Sequence, residues 1–187
     1  MKIISGIYGG RRLEAPKNSD IRPTSDKIRG AIFNMIASRI DLDGAHILDA
    51  FCGSGALGLE ALSRGGAFCT FIDQSRISLN LCKRNATTLD LYEQADFHLK
   101  DTIKFLRKAS NIAYDLILLD PPYCKDLILP TLHALVAAKA ITHTALIVIE
   151  SEKQWTVPLP ENFISATEKI YGDTKVALAR YHDISPV

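Results

Sequence analysis

The middle of the chain alternates short apolar runs with segments in which apolar residues recur at helical spacing. Helical spacing occurs in residues 55–64, 75–88, 102–109 and 126–139, and the apolar runs around these segments are AHILDA, AFCTFI, FHLK, YDLILLD and TALIVIE. Strands of nearly continuous apolar residues separated by helices are typical of a parallel sheet covered on both faces. The pattern therefore predicts an α/β fold built on a doubly wound, mostly parallel sheet.

The pattern changes near the C-terminal end of the chain. FISATEKIY and TKVALARYH are separated only by the turn dipeptide Gly172-Asp173. Two strand patterns joined by so short a turn predict an antiparallel hairpin. Added to five parallel strands, the hairpin gives a sheet of about seven strands, and ligands of such sheets bind beyond the carboxyl ends of the strands.

The N-terminal residues predict a small separate element. KIISGI and RRLEAP flank Tyr8-Gly9-Gly10, which predicts a short β-hairpin with glycine in the turn. An amphipathic helix pattern follows, behind residues suited to capping its N-terminus. We therefore expect a basic β-hairpin extension over residues 1–20 and the main domain over residues 21–187.

Composition and charge add three points to this picture. With 187 residues, of which 47% are hydrophobic, the chain can bury one substantial core. The net charge is only +1, but residues 1–30 hold seven basic and three acidic side chains, so positive charge is concentrated there. The cysteines form no C-x-x-C pair, the histidines have no metal-ligand spacing, and no apolar run approaches the roughly 20 residues that span a bilayer. We therefore expect a cytoplasmic protein with free thiols, no bound metal and no membrane contact.

The first stretch with chemical meaning is DAFCGSGALG, which follows the first predicted parallel strand. Its Gly53-x-Gly55-x-x-Gly58 spacing matches the glycine fingerprint of dinucleotide sites, although a purely structural glycine turn can have the same spacing. Asp73 ends the second strand, where a carboxylate accepts ribose hydroxyls. Asp49 ends the first strand, where it would repel the pyrophosphate of NAD and attract an ammonium group. These acids favour S-adenosylmethionine, which has an adenosine, a sulfonium and an amino acid head but no phosphate.

The second stretch is LILLDPPY, in which a buried strand ends at Asp120-Pro121-Pro122-Tyr123. The two prolines hold the chain extended, with its carbonyl groups pointing outward. Hydrogen bonds from a planar amine to Asp120 and to a carbonyl of the turn would localise the nitrogen lone pair and direct it at a methyl group. Tyr123 would stack on the base, an effect of roughly 1–3 kcal/mol. The alternative is a proline-terminated strand with a tyrosine packed nearby.

Together these motifs resemble a known family. DAFCGSGALGLEALSRG and LILLDPPY are similar to the Rossmann-like S-adenosylmethionine-dependent methyltransferases that modify exocyclic amines. With SGIYGGRRLEAP, IRPTSDKIRGAIFNMI and IYGDTKVALARY, the chain resembles the RsmD family from about residue 2 to 182. These proteins are bacterial methyltransferases of guanine N2 in small-subunit (16S) ribosomal RNA. The resemblance implies direct in-line transfer of a methyl group from S-adenosylmethionine to the amine.

The resemblance also implies roles for individual residues. The loop from Asp49 to Gly55 would surround the methionine part of the cofactor, Asp73 would hold the ribose, and Asp101 would lie near the adenine. The full set of expected cofactor residues is Asp49, Phe51, Gly53, Ser54, Gly55, Asp73, Gln74, Asp101 and Asp120. The expected methyl-transfer residues are Asp120, Pro121, Pro122 and Tyr123.

A ribosomal RNA substrate would explain the basic N-terminal residues. The side chains expected to bind RNA are Arg11, Arg12, Arg22, Thr24 and Arg29. Arginines neutralise phosphates and position a polyanion without reading its sequence. Solvated surface charge is the alternative for each arginine. The expected partner is small-subunit ribosomal RNA or the assembled small-subunit particle, and we expect the protein to act as a monomer.

Three other functions remain compatible with parts of the sequence. A DNA adenine-N6 or cytosine-N4 methyltransferase would use the same D-P-P-Y turn, but usually carries an added recognition domain for which this chain has no room. A nicotinamide oxidoreductase would share the glycine loop and leave the turn unexplained. A non-catalytic RNA-binding assembly factor would keep the fold without needing Asp49, Asp73 and Asp120 intact.

Overall fold

The described part of the chain contains seven strands and five α-helices, which alternate up to β5 and are followed by two further strands. The structure is a computed structural model and describes residues 1–16, 25–108, 112–123, 125–156 and 158–183. The helices are α1 (Asp26–Ala37), α2 (Ala56–Ser63), α3 (Arg76–Thr88), α4 (Thr102–Leu106) and α5 (Ile128–Ala137). The strands are β1 (His46–Asp49), β2 (Phe68–Asp73), β3 (Ala95–Leu99), β4 (Tyr114–Leu119), β5 (Ile141–Glu152), β6 (Phe163–Tyr171) and β7 (Thr174–Tyr181).

All seven strands form one sheet in the order β3-β2-β1-β4-β5-β7-β6. The first five strands run parallel, and β7 pairs antiparallel with both β5 and β6. This confirms the prediction of a mostly parallel sheet with a C-terminal antiparallel hairpin. From β1 to β3 the chain moves toward one edge of the sheet, and from β4 to β6 it moves toward the other edge. Strand β7 then returns between β5 and β6. The carboxyl ends of β1 and β4 therefore flank the point where ligands of such sheets bind.

The core consists of two apolar layers, one on each face of the sheet. In β4, Leu116 and Leu118 belong to the layer under α1, α2 and α3, whereas Ile117 and Leu119 belong to the layer under α4 and α5. Successive side chains of a strand point to opposite faces. Because both faces are covered, every position of β4 except Asp115 is apolar, and this is why the strands could be recognised as nearly continuous apolar runs.

Several elements differ in length from their predictions, and α5, for example, spans Ile128–Ala137 rather than residues 126–139. The apolar run predicted β5 to begin at residue 144, but the strand extends from Ile141 to Glu152 because it pairs with β4 on one side and with β7 on the other. Helix α4 ends at Leu106 rather than at residue 109. The expected end of that helix lies in residues 109–111, which are outside the described part of the chain.

The N-terminal residues pair with each other and also pack on the main unit. Lys2 and Arg12 form an antiparallel bridge, flanked by a 2.9 Å hydrogen bond from the Ile3 N–H to the Arg11 carbonyl. The backbone N–H of Ile7 donates to the Ser63 carbonyl of α2 at 2.8 Å. This pairing agrees with the predicted hairpin. The domain boundary at residue 20 lies outside the described residues and stays a prediction.

A buried ion pair joins this N-terminal segment to α1 and α2. Arg29 of α1 is fully buried, with Nε 3.7 Å from Glu60 Oε2 and Nη2 2.9 Å from Asp26 Oδ1, and it also donates to the Lys2 carbonyl. Glu60 accepts the backbone N–H of Ile4 at 2.7 Å. The guanidinium thus compensates a buried carboxylate in the core. The expectation that Arg29 contacts RNA is wrong for this structure, because no part of the side chain reaches the surface.

Replacing Arg29 by methionine should destabilise the protein by about 3 kcal/mol, since removing one partner leaves the buried Glu60 carboxylate with less compensation. Glu60 keeps its contact with Arg64 at 2.8 Å, so the loss of stability should lie near the lower end of the range for breaking a buried ion pair. Chemical denaturation measures the change. Arg12→Met, the same substitution at an exposed position, is the control and should change stability by less than about 0.5 kcal/mol. Equal stabilities of the two variants would contradict a structural role for Arg29.

Candidate functional site

A cavity of about 650 Å³ opens at the carboxyl ends of the parallel strands. Its volume lies in the usual range for small-molecule sites. Most of the residues expected to bind cofactor or transfer a methyl group line this one cavity: Asp49, Phe51, Gly53, Ser54, Asp73, Gln74, Asp101, Asp120, Pro121, Pro122 and Tyr123. The glycine loop and the D-P-P-Y turn, which are far apart in sequence, therefore share one site.

The glycine loop bends through two residues with positive φ. Gly53 has φ +53° and Gly55 has φ +80°, in the region that favours glycine, and the Gly55 N–H donates to the Cys52 carbonyl at 2.7 Å. A Cβ on Gly53 would meet no neighbouring atom, so this residue leaves its backbone open. A Cβ on Gly55 would collide with the Cys82 side chain of α3. Gly55 is not part of the cavity wall, and its role here is to let the loop pack on α3.

Asp49 is buried where β1 ends and is held by the helix that follows the loop. Its side chain is 1% exposed, and Oδ2 accepts the Gly58 N–H at 3.0 Å. Burial raises the pKa of Asp49 to about 7; the Gly58 N–H opposes this rise, and the charges of Asp120 and Asp73 add to it. At neutral pH the carboxyl is therefore divided between its two protonation states, and a bound cation would favour the charged state.

Asp73, at the end of β2, has its orientation fixed by two backbone groups. Oδ2 accepts the Gly53 N–H at 2.9 Å and Oδ1 accepts the Ser75 N–H at 2.7 Å. Burial raises the pKa of Asp73, and the hydrogen bonds from Ser75 and Gly53 partly offset this rise. Each carboxylate oxygen accepts one backbone N–H in this arrangement and keeps a further lone pair for a ligand hydroxyl.

Asp101 faces the same cavity from the end of β3. It caps α4, with Oδ1 accepting the Lys104 N–H at 2.9 Å. The neighbouring Thr102 is buried and donates its hydroxyl to the Ala50 carbonyl, just after β1. This bond fixes the β3–α4 loop against the glycine loop. Asp101 is thereby held at the cavity wall, where its carboxylate also serves the helix cap.

The D-P-P-Y turn is fixed by the neighbouring strands. The Ala50 N–H donates to the Leu118 carbonyl at 3.1 Å, which joins the end of β1 to β4 just before the turn. Tyr123 has its hydroxyl 3.1 Å from Thr174 Oγ1, at the start of β7. Pro121 is buried, whereas Pro122 is exposed. The turn is therefore held from both sides of β4, and its tyrosine ring has a defined position at the cavity wall.

Several residues of the cavity wall were not expected from the sequence, among them the charged residues Lys100, Lys125 and Glu150 and the N-terminal Met1. Glu150 follows the apolar run of β5, so the rule that singled out acids at strand ends would have found it. Met1 has no such signal. Its sulfur lies 3.9 Å from the Ser54 hydroxyl, a contact that only the folding of the N-terminal segment onto the loop creates.

The side chains expected to bind RNA fall into three groups. Arg11 and Arg12 lie on the surface, with Arg11 Nη1 3.6 Å from Asp90 Oδ2 and its guanidinium over the Tyr8 ring at 5.1 Å. Arg22 and Thr24 lie outside the described residues. Arg29 is in the core, as described above. The structure therefore leaves Arg11 and Arg12 as the described members of the expected RNA-binding set that reach solvent.

The thiols next to the cavity lack the features of nucleophiles. Cys52, Cys69 and Cys82 are buried free thiols, and burial raises the pKa of each of them. They act as small apolar side chains in the loop and its supports. Cys124 lies outside the described residues. Within the described ranges, no group of three potential metal ligands comes together, and no helix is long and apolar enough to cross a membrane.

The charges of the cavity suit a cationic cofactor. Five carboxylates line it, from Asp49, Asp73, Asp101, Asp120 and Glu150, against the two amines of Lys100 and Lys125. A pyrophosphate would meet an excess of negative charge, whereas a sulfonium and an ammonium would be attracted. The residues present therefore fit S-adenosylmethionine better than NAD.

Comparisons with known proteins agree with the fold and with the family that the sequence motifs resemble. The model of the conserved hypothetical protein 95 family matches residues 1–180. Ribosomal RNA small subunit methyltransferase D of Escherichia coli is 35% identical to this chain, and the match covers 95% of this chain and 88% of that protein. The Haemophilus influenzae protein of the same name is 33% identical, and the match covers 92% of this chain and 89% of that protein. A solved structure of the Escherichia coli protein yhhF is 31% identical, with a TM-score of 0.87, and covers 97% of this chain and 98% of its own. The chain therefore belongs to the conserved hypothetical protein 95 family, which is the RsmD family that its sequence motifs resemble, and it has the Rossmann-like methyltransferase fold.

Proposed function

We propose that this protein transfers a methyl group from S-adenosylmethionine to the exocyclic N2 amine of a guanine in small-subunit (16S) ribosomal RNA. The observation that carries the proposal is that the glycine loop at Gly53 and the turn at Asp120 line one cavity. The names of the relatives support ribosomal RNA of the small subunit as the substrate. The choice of guanine N2 rests on the resemblance to the RsmD family.

The cofactor would lie between the glycine loop and the ends of β2 and β3. Asp49 would face its ammonium group, the open backbone at Gly53 would allow close approach, and Asp73 would accept the ribose hydroxyls. Phe51, Ser54, Gln74 and Asp101 complete the expected contacts. When bound, S-adenosylmethionine supplies a methyl group on a sulfonium sulfur, which is a good leaving group.

The D-P-P-Y turn would hold the receiving amine. Asp120 would accept one N–H of the amine and a carbonyl of the turn would accept the other, which localises the nitrogen lone pair and directs it at the methyl group. The nitrogen would release one proton after the transfer. Tyr123, fixed by its contact with Thr174, would stack on the base. Alignment of this kind recovers roughly 7–11 kcal/mol of a reaction barrier, so a strong base is not required. The target base must be unpaired or turned outward to enter the cavity.

Exposed arginines near the cavity would bind the RNA backbone. Arg12 pairs with Lys2 in the N-terminal bridge, directly beside Met1 of the cavity wall. Arg11 lies one residue away on the same surface segment. Positive side chains at this position would attract phosphates next to the site where the base enters.

The double substitution of Arg11 and Arg12 by alanine should weaken RNA binding and leave cofactor binding unchanged. Each lost phosphate contact lowers the slope of log K against log salt by about 0.7–0.9, so the double variant should lose about 1.4–1.8 units of slope. Filter binding over a salt series measures this. The double variant Lys153→Ala with Lys169→Ala removes the same charge from exposed positions near the C-terminal hairpin and should keep the original slope. An unchanged slope for the arginine variant would show that these side chains do not contact phosphate.

The alternative functions predict different products of the same cavity. A DNA adenine-N6 or cytosine-N4 methyltransferase would use the same cavity, and its product would be a methylated deoxynucleoside. A non-catalytic assembly factor would bind small-subunit RNA without transferring a methyl group. The intact acids Asp49, Asp73 and Asp120, all in one cavity, favour catalysis.

A single labelling experiment tests the proposed function. The protein is incubated with S-adenosylmethionine carrying a labelled methyl group and with either 16S RNA or small-subunit particles from cells lacking the protein. The RNA is then digested to nucleosides. Labelled N2-methylguanosine is the expected product. Label in methyladenosine or methylcytidine, or label in a parallel DNA sample alone, would reject the proposal, as would binding of RNA without any transfer.

A further inference from the structure

Glu150 is a buried carboxylate in the cavity wall that the cofactor contacts do not use. Its side chain is 6% exposed and lines the main cavity together with Asp120. It also lines a second recess of about 20 Å³ behind Pro121 and Tyr123. Glu150 is therefore on the side of the cavity formed by the D-P-P-Y turn, away from the glycine loop.

The strand register places Glu150 beside Asp120. Leu119 of β4 and Ile149 of β5 are register partners, so Asp120 and Glu150 each follow a paired position of two strands that lie about 4.8 Å apart. Glu150 is also paired with Val176 of β7. Glu150 thus lies within strand β5 rather than in a loop, and Asp120 directly follows the last residue of β4, so the sheet brings the two residues close together.

Two neighbouring carboxylates match one edge of guanine. Guanine has its N2 amine and its N1–H next to each other, and both are hydrogen-bond donors. Adenine at N1 and cytosine at N3 have an acceptor lone pair beside the amine instead. An ionised carboxylate is only an acceptor, so it would bond to the N1–H of guanine and repel the lone pair of the other two bases.

We propose that Glu150 is the residue that selects guanine, by accepting the N1–H of the base whose N2 amine is held at Asp120. This inference rests on the proposed function and adds a specificity-determining contact to it. Burying the carboxylate against an acceptor would leave it without a donor from the base, which is the situation in which polar sites reject an analogue most strongly. Lys125 lies in the same wall, and its positive charge would offset part of the repulsion between the two acids.

The first test uses the unchanged protein and a base analogue. 2-Aminopurine keeps the 2-amino group and has an acceptor at N1 where guanine has a donor. The guanosine that the protein modifies is replaced by 2-aminopurine in small-subunit RNA by ligation of synthetic fragments. We expect kcat/KM for methyl transfer to fall by at least about 100-fold. Equal use of the two bases would overturn the proposal, whatever the fate of any variant.

The second test changes the donor and acceptor groups of the side chain. In Glu150→Gln, the amide N–H can donate to N1 of 2-aminopurine, so the ratio of kcat/KM for 2-aminopurine to that for guanine should rise by at least about 100-fold. A purely structural role would lower both rates and leave the ratio unchanged, which would overturn the proposal. Glu168→Gln, on the exposed edge strand β6, is the matched control and should keep the original ratio.

The same experiment separates this inference from the proposed function. If the unchanged protein forms N2-methylguanosine and the ratio of the Glu150→Gln variant does not move, the proposed function stands and the role of Glu150 is rejected. If the unchanged protein methylates adenine or cytosine, both are rejected together. Binding of S-adenosylmethionine to each variant, measured by calorimetry, confirms that the cavity is intact.

Discussion

Replacement of Asp120 by alanine is expected to abolish methyl transfer while S-adenosylmethionine still binds. Asp120 lines the cavity at the end of β4, beside the turn held by Tyr123 and Thr174. In the proposed reaction it accepts an amine N–H and directs the lone pair. Without this acceptor the nitrogen lone pair stays delocalised into the ring and the amine is misaligned with the methyl group, so kcat should fall by at least about 10³-fold. The measurement is single-turnover transfer of labelled methyl at saturating cofactor, together with calorimetric cofactor binding.

The conservative variant Asp120→Asn shows which property of the side chain matters. Asparagine keeps a carbonyl acceptor and cannot act as a base, so the variant should retain more activity than the alanine variant by about 10-fold or more. Asp43→Ala is the control and should behave as the unchanged protein. Asp43 is exposed and precedes β1, so it lies at the amino ends of the parallel strands, opposite the cavity. Full activity of Asp120→Ala would remove Asp120 from the mechanism. Equal loss in the alanine and asparagine variants would point to proton removal instead of orientation.

Replacing Asp49 by asparagine should stabilise the protein and weaken its binding of the cofactor. The folded protein holds Asp49 with a pKa of about 7, against 3.8 for the free side chain. Because of the raised pKa, Asp49 ionises at a lower pH in the unfolded chain than in the folded protein. The contribution of Asp49 to stability is therefore most favourable near pH 4 or below, falls as pH rises from about 4 to about 7, and is less favourable by about 4 kcal/mol at pH 8. Asparagine carries no charge and can still accept the Gly58 N–H.

The comparison therefore has to be made at two pH values. Urea denaturation at pH 8 should show Asp49→Asn to be the more stable protein by up to about 4 kcal/mol, and the difference should disappear near pH 4. Cofactor affinity should fall by roughly 10–100-fold, because a hydrogen bond between charged groups contributes about 1.5–3 kcal/mol. For the unchanged protein, affinity should increase as pH rises through about 7, when Asp49 ionises. Equal stability of the two proteins at both pH values would contradict the buried, destabilising carboxylate.

Most of the fold followed from local sequence patterns. The run LILL before Asp120 was recognisable as a strand because a sheet covered on both faces makes every position apolar. The hairpin around Gly172 was recognisable because two strand patterns met with no room for a helix. The bounds of β6 agree with the prediction, since the turn fixes where that strand ends. The bounds of β5 do not, because its ends are set by partners that lie elsewhere in the chain.

The site was predicted less completely than the fold, and Arg29 and Glu150 show why. Arg29 looked like one more basic residue in a basic segment. Its burial depends on Glu60, a residue of α2, and on the carbonyl of Lys2, and neither partner is near it in sequence. Glu150 looked like the end of an apolar run. Its place beside Asp120 depends on the register between β4 and β5, which no local pattern states.

The sequence by itself determined the parallel sheet, the terminal hairpin, the glycine loop and the D-P-P-Y turn. These features are local, because alternation of apolar runs, turn residues and prolines acts over a few positions of the backbone. The tertiary structure alone decided which charges are buried, which acids are neighbours and what closes the cavity, as the placements of Arg29, Glu150 and Met1 show. Burial and proximity depend on packing between distant segments, and the free energy of a charged side chain depends on that packing more than on its neighbours in the chain.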